Sequence, residues 1–266
     1  MAHSLAVITG ASSGIGATFA RKLAAQYDLL LVARRGDKLE QLAAELRAAH
    51  STNVEILVAD LSNPADVALL ADKLAADVRL ALLVNNAGFG TLGRFWEATL
   101  KSQEQMHQLH VMATVRLTHA ALGNMVPRDQ GAVINVASVA GFVRSKGSVS
   151  YCATKSWTNI FSEGLYLELR GMGSHVKIQT LCPGFTYSEF HDAMAIQRER
   201  LAGKALWLSA EQVVDASLAG LQRGQLYVIP GWRYRVLTAV VSKLPSRIRL
   251  MLEQTRGNER VAGGAK

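Results

Sequence analysis

The sequence predicts an α/β fold, a doubly wound parallel β-sheet of about seven strands with helices on both faces, in three αβα layers. Three observations predict it. Short apolar runs alternate with longer segments of helical spacing from the first residues onward. The runs are continuously apolar, as strands buried on both faces are. Six or seven such alternations, read along the chain, demand right-handed crossovers that put helices on both sides of one sheet.

The first strand, Leu5–Thr9, runs into a helical pattern over Ile15–Tyr27. Leu29–Ala33 reads as the second strand and Asp37–Ala49 as its helix, then Val54–Ala59 with Ala65–Ala76, and Leu80–Asn85 with Thr99–Met125. Ala132–Ala137 leads to Ser150–Gly171. Val176–Cys182 leads, across an insertion, to the helix Ala210–Gln222 and a last strand at Leu226–Ile229. The insertion, Gly184–Leu208, carries Phe185, Tyr187, Phe190, Met194 and Trp207. It reads either as a substrate lid above the strand ends, where ligands of such sheets bind, or as an extra helix pair packed on the core. Residues 1–230 make up the domain, and residues 231–266 form a basic, partly apolar extension.

The 266 residues, 49% hydrophobic and 19% charged, suffice for one large domain with a sizeable core. The opening MAHSLAVITG lacks the charged and long apolar stretches of a signal peptide, and no run reaches the about 18 apolar residues of a membrane span. Cys152 and Cys182, without a CxxC pair or a histidine-rich cluster, speak against a disulfide framework or structural zinc; no metal is expected, and a reducing cytoplasm is the expected compartment. The net charge of +8 gathers at the C-terminus, with seven Lys/Arg between Arg233 and Arg260 against Glu253 and Glu259. No nucleic-acid motif accompanies them, so nucleic acid is not an expected partner. Trp232–Leu252 mixes aromatic, aliphatic and basic residues without an acid, and Pro245 must break or kink any helix there. It suits either peripheral contact with an anionic membrane or packing over the substrate pocket or a subunit interface.

The first strand enters Thr9-Gly10-Ala11-Ser12-Ser13-Gly14-Ile15-Gly16 and then a helix. Three glycines let the backbone turn tightly and approach a pyrophosphate, and the helix N-terminus offers free N–H groups with partial positive charge. Gly10, Ser12, Ser13, Gly14, Ile15 and Gly16 are therefore candidate cofactor contacts. After the second strand stand Arg34 and Arg35, with no acid before Asp37. An acid there serves the ribose hydroxyls of NAD; a guanidinium suits the 2′-phosphate of NADP. Asp60-Leu61 ends the third strand and Asn86-Ala87-Gly88 follows the fourth, both where a ligand crossing the strand ends would lie.

Tyr151 and Lys155 open a long helix four residues apart, so they share a face, and Ser138 follows the preceding strand. A phenol titrates near about 10, and a fixed ammonium beside it is expected to draw that value down until Tyr151 serves as acid or base. Ser138 can donate to an oxygen on which negative charge builds.

TGASSGIG, NNAG, Ser138, YCATK and Pro183-Gly184 together resemble the short-chain dehydrogenase/reductase family in its one-domain branch, over roughly residues 4–230. The resemblance implies a Rossmann-type fold, NADP(H) or NAD(H), and hydride transfer at a carbonyl carbon. It also implies roles: Ser138 polarises the substrate oxygen, Tyr151 exchanges its proton, and Lys155 holds the nicotinamide ribose and tunes the tyrosine. Asp60 lies against adenine, Asn86 and its neighbours flank the adenosine ribose, and Pro183, Gly184 and Thr186 meet the carboxamide. In one place the sequence departs from the family, which has an asparagine where His110 stands; that asparagine anchors a water linking the lysine to solvent. An imidazole both donates and accepts, so His110 either holds the same relay or packs between helices with the relay built otherwise. Members of the family form dimers or tetramers through the helices that match Thr99–Met125 and Ser150–Gly171.

The function expected is an NADP(H)-dependent oxidoreductase that reduces a carbonyl to an alcohol, on a hydrophobic or lipid-like ketone. The alternative is a nucleotide-sensing protein that kept the fold and lost catalysis, which should lack Ser138, Tyr151 or Lys155. An epimerase or dehydratase of nucleotide sugars shares the Tyr-xxx-Lys spacing but carries a longer chain and a differently spaced glycine loop.

Overall fold

A computed structural model of the protein describes residues 3–91, 93–189 and 203–256. Seven parallel strands form one sheet: β1 Leu5–Thr9, β2 Asp28–Ala33, β3 Val54–Val58, β4 Leu80–Asn85, β5 Ala132–Val136, β6 Lys177–Leu181 and β7 Tyr227–Val228. Their spatial order is β3-β2-β1-β4-β5-β6-β7. Every expected strand is present to within one residue at either end. The chain winds outward from β1 to β3, then returns to pair β4 against the other side of β1. That reversal opens a crevice beyond the carboxyl ends of β1 and β4, where open α/β sheets bind ligands.

Helices cover both faces. Alternate strand residues feed two cores because successive side chains of a strand point to opposite sides. Ala6, Ile8, Leu29, Leu31, Leu82 and Val84 pack with Phe19, Leu39, Leu42, Leu46, Val213 and Val214 of α1 (Gly14–Leu23), α2 (Gly36–Ala49) and α7 (Ala210–Gln222). Leu5, Val7, Leu30, Val32, Leu83 and Val133 pack with Leu70, Leu74, Leu117, Met125 and Leu169 of α3 (Pro64–Ala76), α5 (Thr114–Met125) and α6 (Val149–Gly171). Phe19 is completely buried, and removing such a side chain from water contributes roughly 2–3 kcal/mol. The sheet is thus dry on both sides, so ligand chemistry is confined to the strand ends.

Two helices differ from the expected pattern. The segment expected over Ile15–Tyr27 stops at Leu23, where Gln26 and Tyr27 donate back to the Leu23 carbonyl and turn the chain into β2. The segment expected as one helix over Thr99–Met125 is α4 (Leu100–His107), a π-helical turn over Gln108–Ala113, and α5. A π turn inserts a residue into the helical ladder and re-aims the side chains that follow. Residue spacing does not betray such an insertion, because apolar positions on both sides keep a helical period.

Beyond β7 the chain forms α8 (Trp232–Lys243) and α9 (Ser246–Arg256), separated by Pro245. No described helix is long and apolar enough to cross a membrane.

Candidate active site

The glycine loop is held by its neighbour strand. Thr9 in β1 donates its hydroxyl to the Val84 carbonyl at 3.2 Å and accepts from the backbone N–H groups of Asn86 and Ala87 at 2.9 and 3.0 Å. The Asn86 amide donates to the carbonyls of Thr9 and Gly10 at 2.9 and 3.2 Å. Gly10 has φ +67°, and a Cβ there would meet Asn86 Nδ2 at 2.8 Å and Ala87 Cα at 2.9 Å. At Gly16 a Cβ would lie 2.3 Å from the Gly10 carbonyl oxygen. The glycines are therefore required by the loop's own closure onto β4, which brings the N-terminus of α1 to the crevice. Ser13 is the N-cap of α1, and its side chain makes no capping bond, leaving the first N–H groups of the helix directed outward. Thr186 and Ser188 complete the crevice wall; a Cβ on Gly14 would meet Ser188 Cβ at 2.9 Å.

Of the two arginines after β2, Arg35 is the one that reaches this loop. Its guanidinium donates to Ser12 Oγ at 3.2 and 2.9 Å and to Ser13 Oγ at 2.9 Å, and it pairs with Glu189 at 2.8 Å. Arg34 is exposed beside it. The guanidinium holds the Glu189 carboxyl below its ordinary range, with the Ser13 hydroxyl adding to the effect. A carboxylate thus sits on a fork of cation and hydroxyls at the glycine loop. Asp60 follows β3, its carboxylate accepting from the N–H and hydroxyl of Ser62 at 3.0 and 2.8 Å, with Leu61 buried next to it.

Ser138 follows β5 and caps a 3₁₀ turn, Val139–Phe142. Its hydroxyl accepts from the Ala140 N–H at 3.1 Å and donates to the Pro183 carbonyl at 3.4 Å. The Tyr151 hydroxyl lies close enough for the Ser138 hydroxyl to pull the phenol's pKa down. Lys155, one turn along α6, is buried, donates to the Val136 carbonyl at 2.8 Å, and has Nζ 5.8 Å from the centre of the Tyr151 ring. The three side chains expected to act together are brought together.

Their electrostatics depart from expectation. Burial pushes the Tyr151 phenol up to about 12, although the Ser138 hydrogen bond pulls it down. Burial lowers the Lys155 ammonium to about 8. The lysine was expected to draw the phenol towards neutrality; instead desolvation governs the phenol, and the ammonium is turned to the Val136 carbonyl of β5. At neutral pH the pair is therefore a phenol beside an ammonium.

His110 lies in the π turn with both ring nitrogens engaged. Nε2 accepts from the Phe89 N–H at 3.1 Å, which places the ring proton on Nδ1, where it is donated to Thr154 Oγ1 at 2.9 Å. Thr154 in turn donates to the Tyr151 carbonyl at 3.0 Å. Burial first, and then the charges of Lys155 and His107, hold the imidazole well below its ordinary pKa. Of the two readings of His110, relay or packing between helices, the engagement of both ring nitrogens by protein partners favours packing. The ring instead packs edge-on to Tyr151, at 5.9 Å between centres, and against Gly88, where a Cβ would meet Nε2 at 2.9 Å.

Pro183 and Gly184 follow β6 opposite Ser138. Thr186 is buried, donates to the Gly184 carbonyl at 3.0 Å and bridges to Leu208. A Cβ on Gly184 would fall 2.0 Å from the Tyr234 ring. The Tyr234 hydroxyl accepts from the Phe185 N–H at 3.0 Å and donates to the Leu206 carbonyl at 2.5 Å, so one residue of α8 clasps both ends of the insertion. Sequence reasoning missed Tyr234 and Glu189. Gly184, a residue whose missing side chain makes room for something, was the one signal pointing to the former. Of the apolar and aromatic residues expected in the lid, Phe185 and Tyr187 pack on Trp207 at 5.5 and 5.0 Å; Phe190 and Met194 lie outside the described residues.

A parallel doubly wound sheet, a glycine loop at its switch point and a Ser–Tyr–Lys group at the adjoining strand ends define a dinucleotide-binding oxidoreductase. The sequence matches the short chain dehydrogenase family over residues 4–199, and the chain belongs to that family. A short-chain dehydrogenase from Sphingobium yanoikuyae in complex with NADPH superposes with a TM-score of 0.81 at 35% identity, covering 91% of this chain and 97% of that one. A bulky-bulky ketone specific alcohol dehydrogenase from Comamonas testosteroni gives 0.78 at 30% identity, covering 92% and 96%. A short-chain dehydrogenase/reductase from Burkholderia phymatum in complex with NAD gives 0.79 at 28% identity, covering 97% and 96%. The family and its solved members assign this chain a nicotinamide cofactor.

Proposed function

We propose that the protein is an NADP(H)-dependent carbonyl reductase acting on a hydrophobic ketone. The observation that carries the reading is the grouping of Ser138, Tyr151 and Lys155 at the strand ends beside the glycine loop. Gly10, Ser12, Ser13, Gly14, Ile15 and Gly16 fit a pyrophosphate at the N-terminus of α1. Arg35 with Ser12 and Ser13 fits the 2′-phosphate, because the same fork already holds an anion, the Glu189 carboxylate. Asp60, Leu61, Asn86, Ala87 and Gly88 line the adenosine side, and Pro183, Gly184 and Thr186 the carboxamide side.

When bound, the nicotinamide supplies a hydride to the carbonyl carbon. Ser138 orients the substrate oxygen and stabilises the charge growing on it. Tyr151 gives its phenolic proton to that oxygen as the C=O π bond is lost, which completes the alcohol. Lys155 holds an ammonium behind the phenolate that remains. Phe185, Tyr187 and Trp207 offer an apolar wall for the substrate's body, and the resemblance to a ketone-specific alcohol dehydrogenase favours bulky ketones.

The test is a fluorescence titration with NADPH and NADH, followed by turnover of a ketone panel by wild type and Tyr151→Phe. Tyr151→Phe is expected to bind NADPH normally and to lose about 10²- to 10⁴-fold in kcat. Tight NADPH binding with no Tyr151-dependent turnover would favour the cofactor sensor instead.

A further inference from the structure

We infer that α8 is an interfacial helix that docks on an anionic lipid surface. The helix has two faces. Tyr234 and Thr238 are buried against the strand-end loops, Tyr234 through its clasp on Phe185 and Leu206. On the opposite side Trp232, Val236 and Val240 stand one turn apart and are 62, 55 and 53% exposed, with Leu237 alongside. An apolar stripe on a helix fixed by its other face is surplus to the fold.

The charges around the stripe select its partner. Arg233, Arg235 and Lys243 flank it, and Arg247 and Arg249 follow in α9 beside the exposed Ile248 and Met251. Residues 232–252 contain no acid. Among the described residues none of these five cations enters an ion pair; Arg233 donates to the neutral Ala205 carbonyl and packs on the Trp232 ring. A second copy docking through this face about a two-fold axis would set its cations against those of the first with no acid of residues 232–252 between them, which opposes association. An anionic bilayer answers both features: its headgroups meet the guanidinium and ammonium groups, and its acyl boundary takes Trp232, Val236 and Val240. Tyr234 then fixes the docked helix to the loop facing Ser138, so the site's rim lies at the bilayer surface.

The test uses the full chain in co-sedimentation with vesicles of equimolar phosphatidylglycerol and phosphatidylcholine, against vesicles of phosphatidylcholine alone. Wild type is expected to pellet with the anionic vesicles only. Arg235→Glu/Lys243→Glu should weaken binding roughly 100-fold, and Val236→Ser/Val240→Ser about tenfold, with turnover of a water-soluble ketone unchanged in both. A thermal melt confirms that each variant is folded, and two independent pairs guard against the failure of one. Equal binding to both vesicle types, no binding to either, or binding indifferent to both pairs overturns the proposal. So does loss of a wild-type oligomer in the serine variant, which would show that the stripe is covered by another copy.

Discussion

Removing the Arg35 guanidinium separates the two dinucleotides. In the structure it makes three bonds to the Ser12 and Ser13 hydroxyls and one ion pair, at 2.8 Å, to Glu189. A hydrogen bond to a charged partner is worth about 1.5–3 kcal/mol, and with the Arg35 side chain 44% exposed the lower half of that range applies. Arg35→Ala should therefore cost the NADPH complex about 1.5–2 kcal/mol, a roughly 10- to 30-fold rise in Kd, while NADH changes less than about threefold. Glu189 supplies a second perturbation of opposite sign. Its carboxylate occupies the fork that the 2′-phosphate needs, and an exposed pair of this kind is worth up to about 1 kcal/mol. Glu189→Gln should tighten NADPH by up to roughly fivefold without tightening NADH. Both are read by quenching of tryptophan fluorescence at two salt concentrations, since the phosphate-dependent part should shrink as salt screens it. If Arg35→Ala weakens NADPH and NADH alike, the arginine merely braces Ser12 and Ser13, and the 2′-phosphate assignment fails.

The pH profile of kcat/KM for reduction should fall above about pH 8, where Lys155 loses its proton in the free enzyme, and stay flat from about pH 6 to 7.5 because His110 is held neutral. An inflection near 10.5, the ordinary lysine range, would contradict the first expectation, and one near 6.5 the second. Because Lys155 is lowered from 10.5 to about 8, the folded state binds fewer protons than the unfolded one between those values, so this group's penalty of about 3 kcal/mol is full at pH 7 and fades as pH rises to 10.5. Urea melts of Lys155→Met should show a gain over wild type that shrinks across the same window; a pH-independent difference refutes the shift. Tyr234→Phe keeps the ring under Gly184 but strands the Phe185 N–H and the Leu206 carbonyl, costing about 1–2 kcal/mol, read as a Tm drop of about 2–8 °C with a raised KM for ketone. An unchanged KM would mean that the clasp does not shape the site.

The architecture was legible because each signal behind it is local. Runs such as Leu80–Asn85 are short, apolar and bounded, and a glycine-rich turn between strand and helix has few other uses. The Tyr151–Lys155 spacing fixes a shared helix face without reference to anything distant. What stayed hidden depends on contacts remote in sequence. The π turn is chosen by where His110 must reach, across α6 to Thr154 and back to Phe89, and those partners lie 44 and 21 residues away. Asn135 reads as an ordinary strand residue, yet it is fully buried, accepting from Asn85 and donating to Ser162 in a polar seam through the sheet. The tail's composition allowed packing or a lipid-facing surface, and only the structure shows that α8 buries Tyr234 and Thr238 while leaving Trp232, Val236 and Val240 exposed.

Desolvation of the Ser–Tyr–Lys group sets the resting protonation state of the site. Burial penalises whichever form of a group is charged, so it raises an acid and lowers a base at once. In a site where the phenol is pushed up to about 12 and the ammonium down to about 8, the protonated phenol is the dominant form at neutrality. That form is the one a reduction needs, since Tyr151 must give a proton as the alkoxide forms. Oxidation starts from the opposite state, a phenolate able to accept the alcohol's proton, and here that state must be made against the burial penalty. The Ser138 hydroxyl lessens the cost without removing it. Reduction ends in that same phenolate, because Tyr151 has given up its proton, so the burial penalty is met in both directions; burial fixes the protonated phenol as the resting form and leaves the direction to the supply of reduced or oxidised cofactor and of substrate.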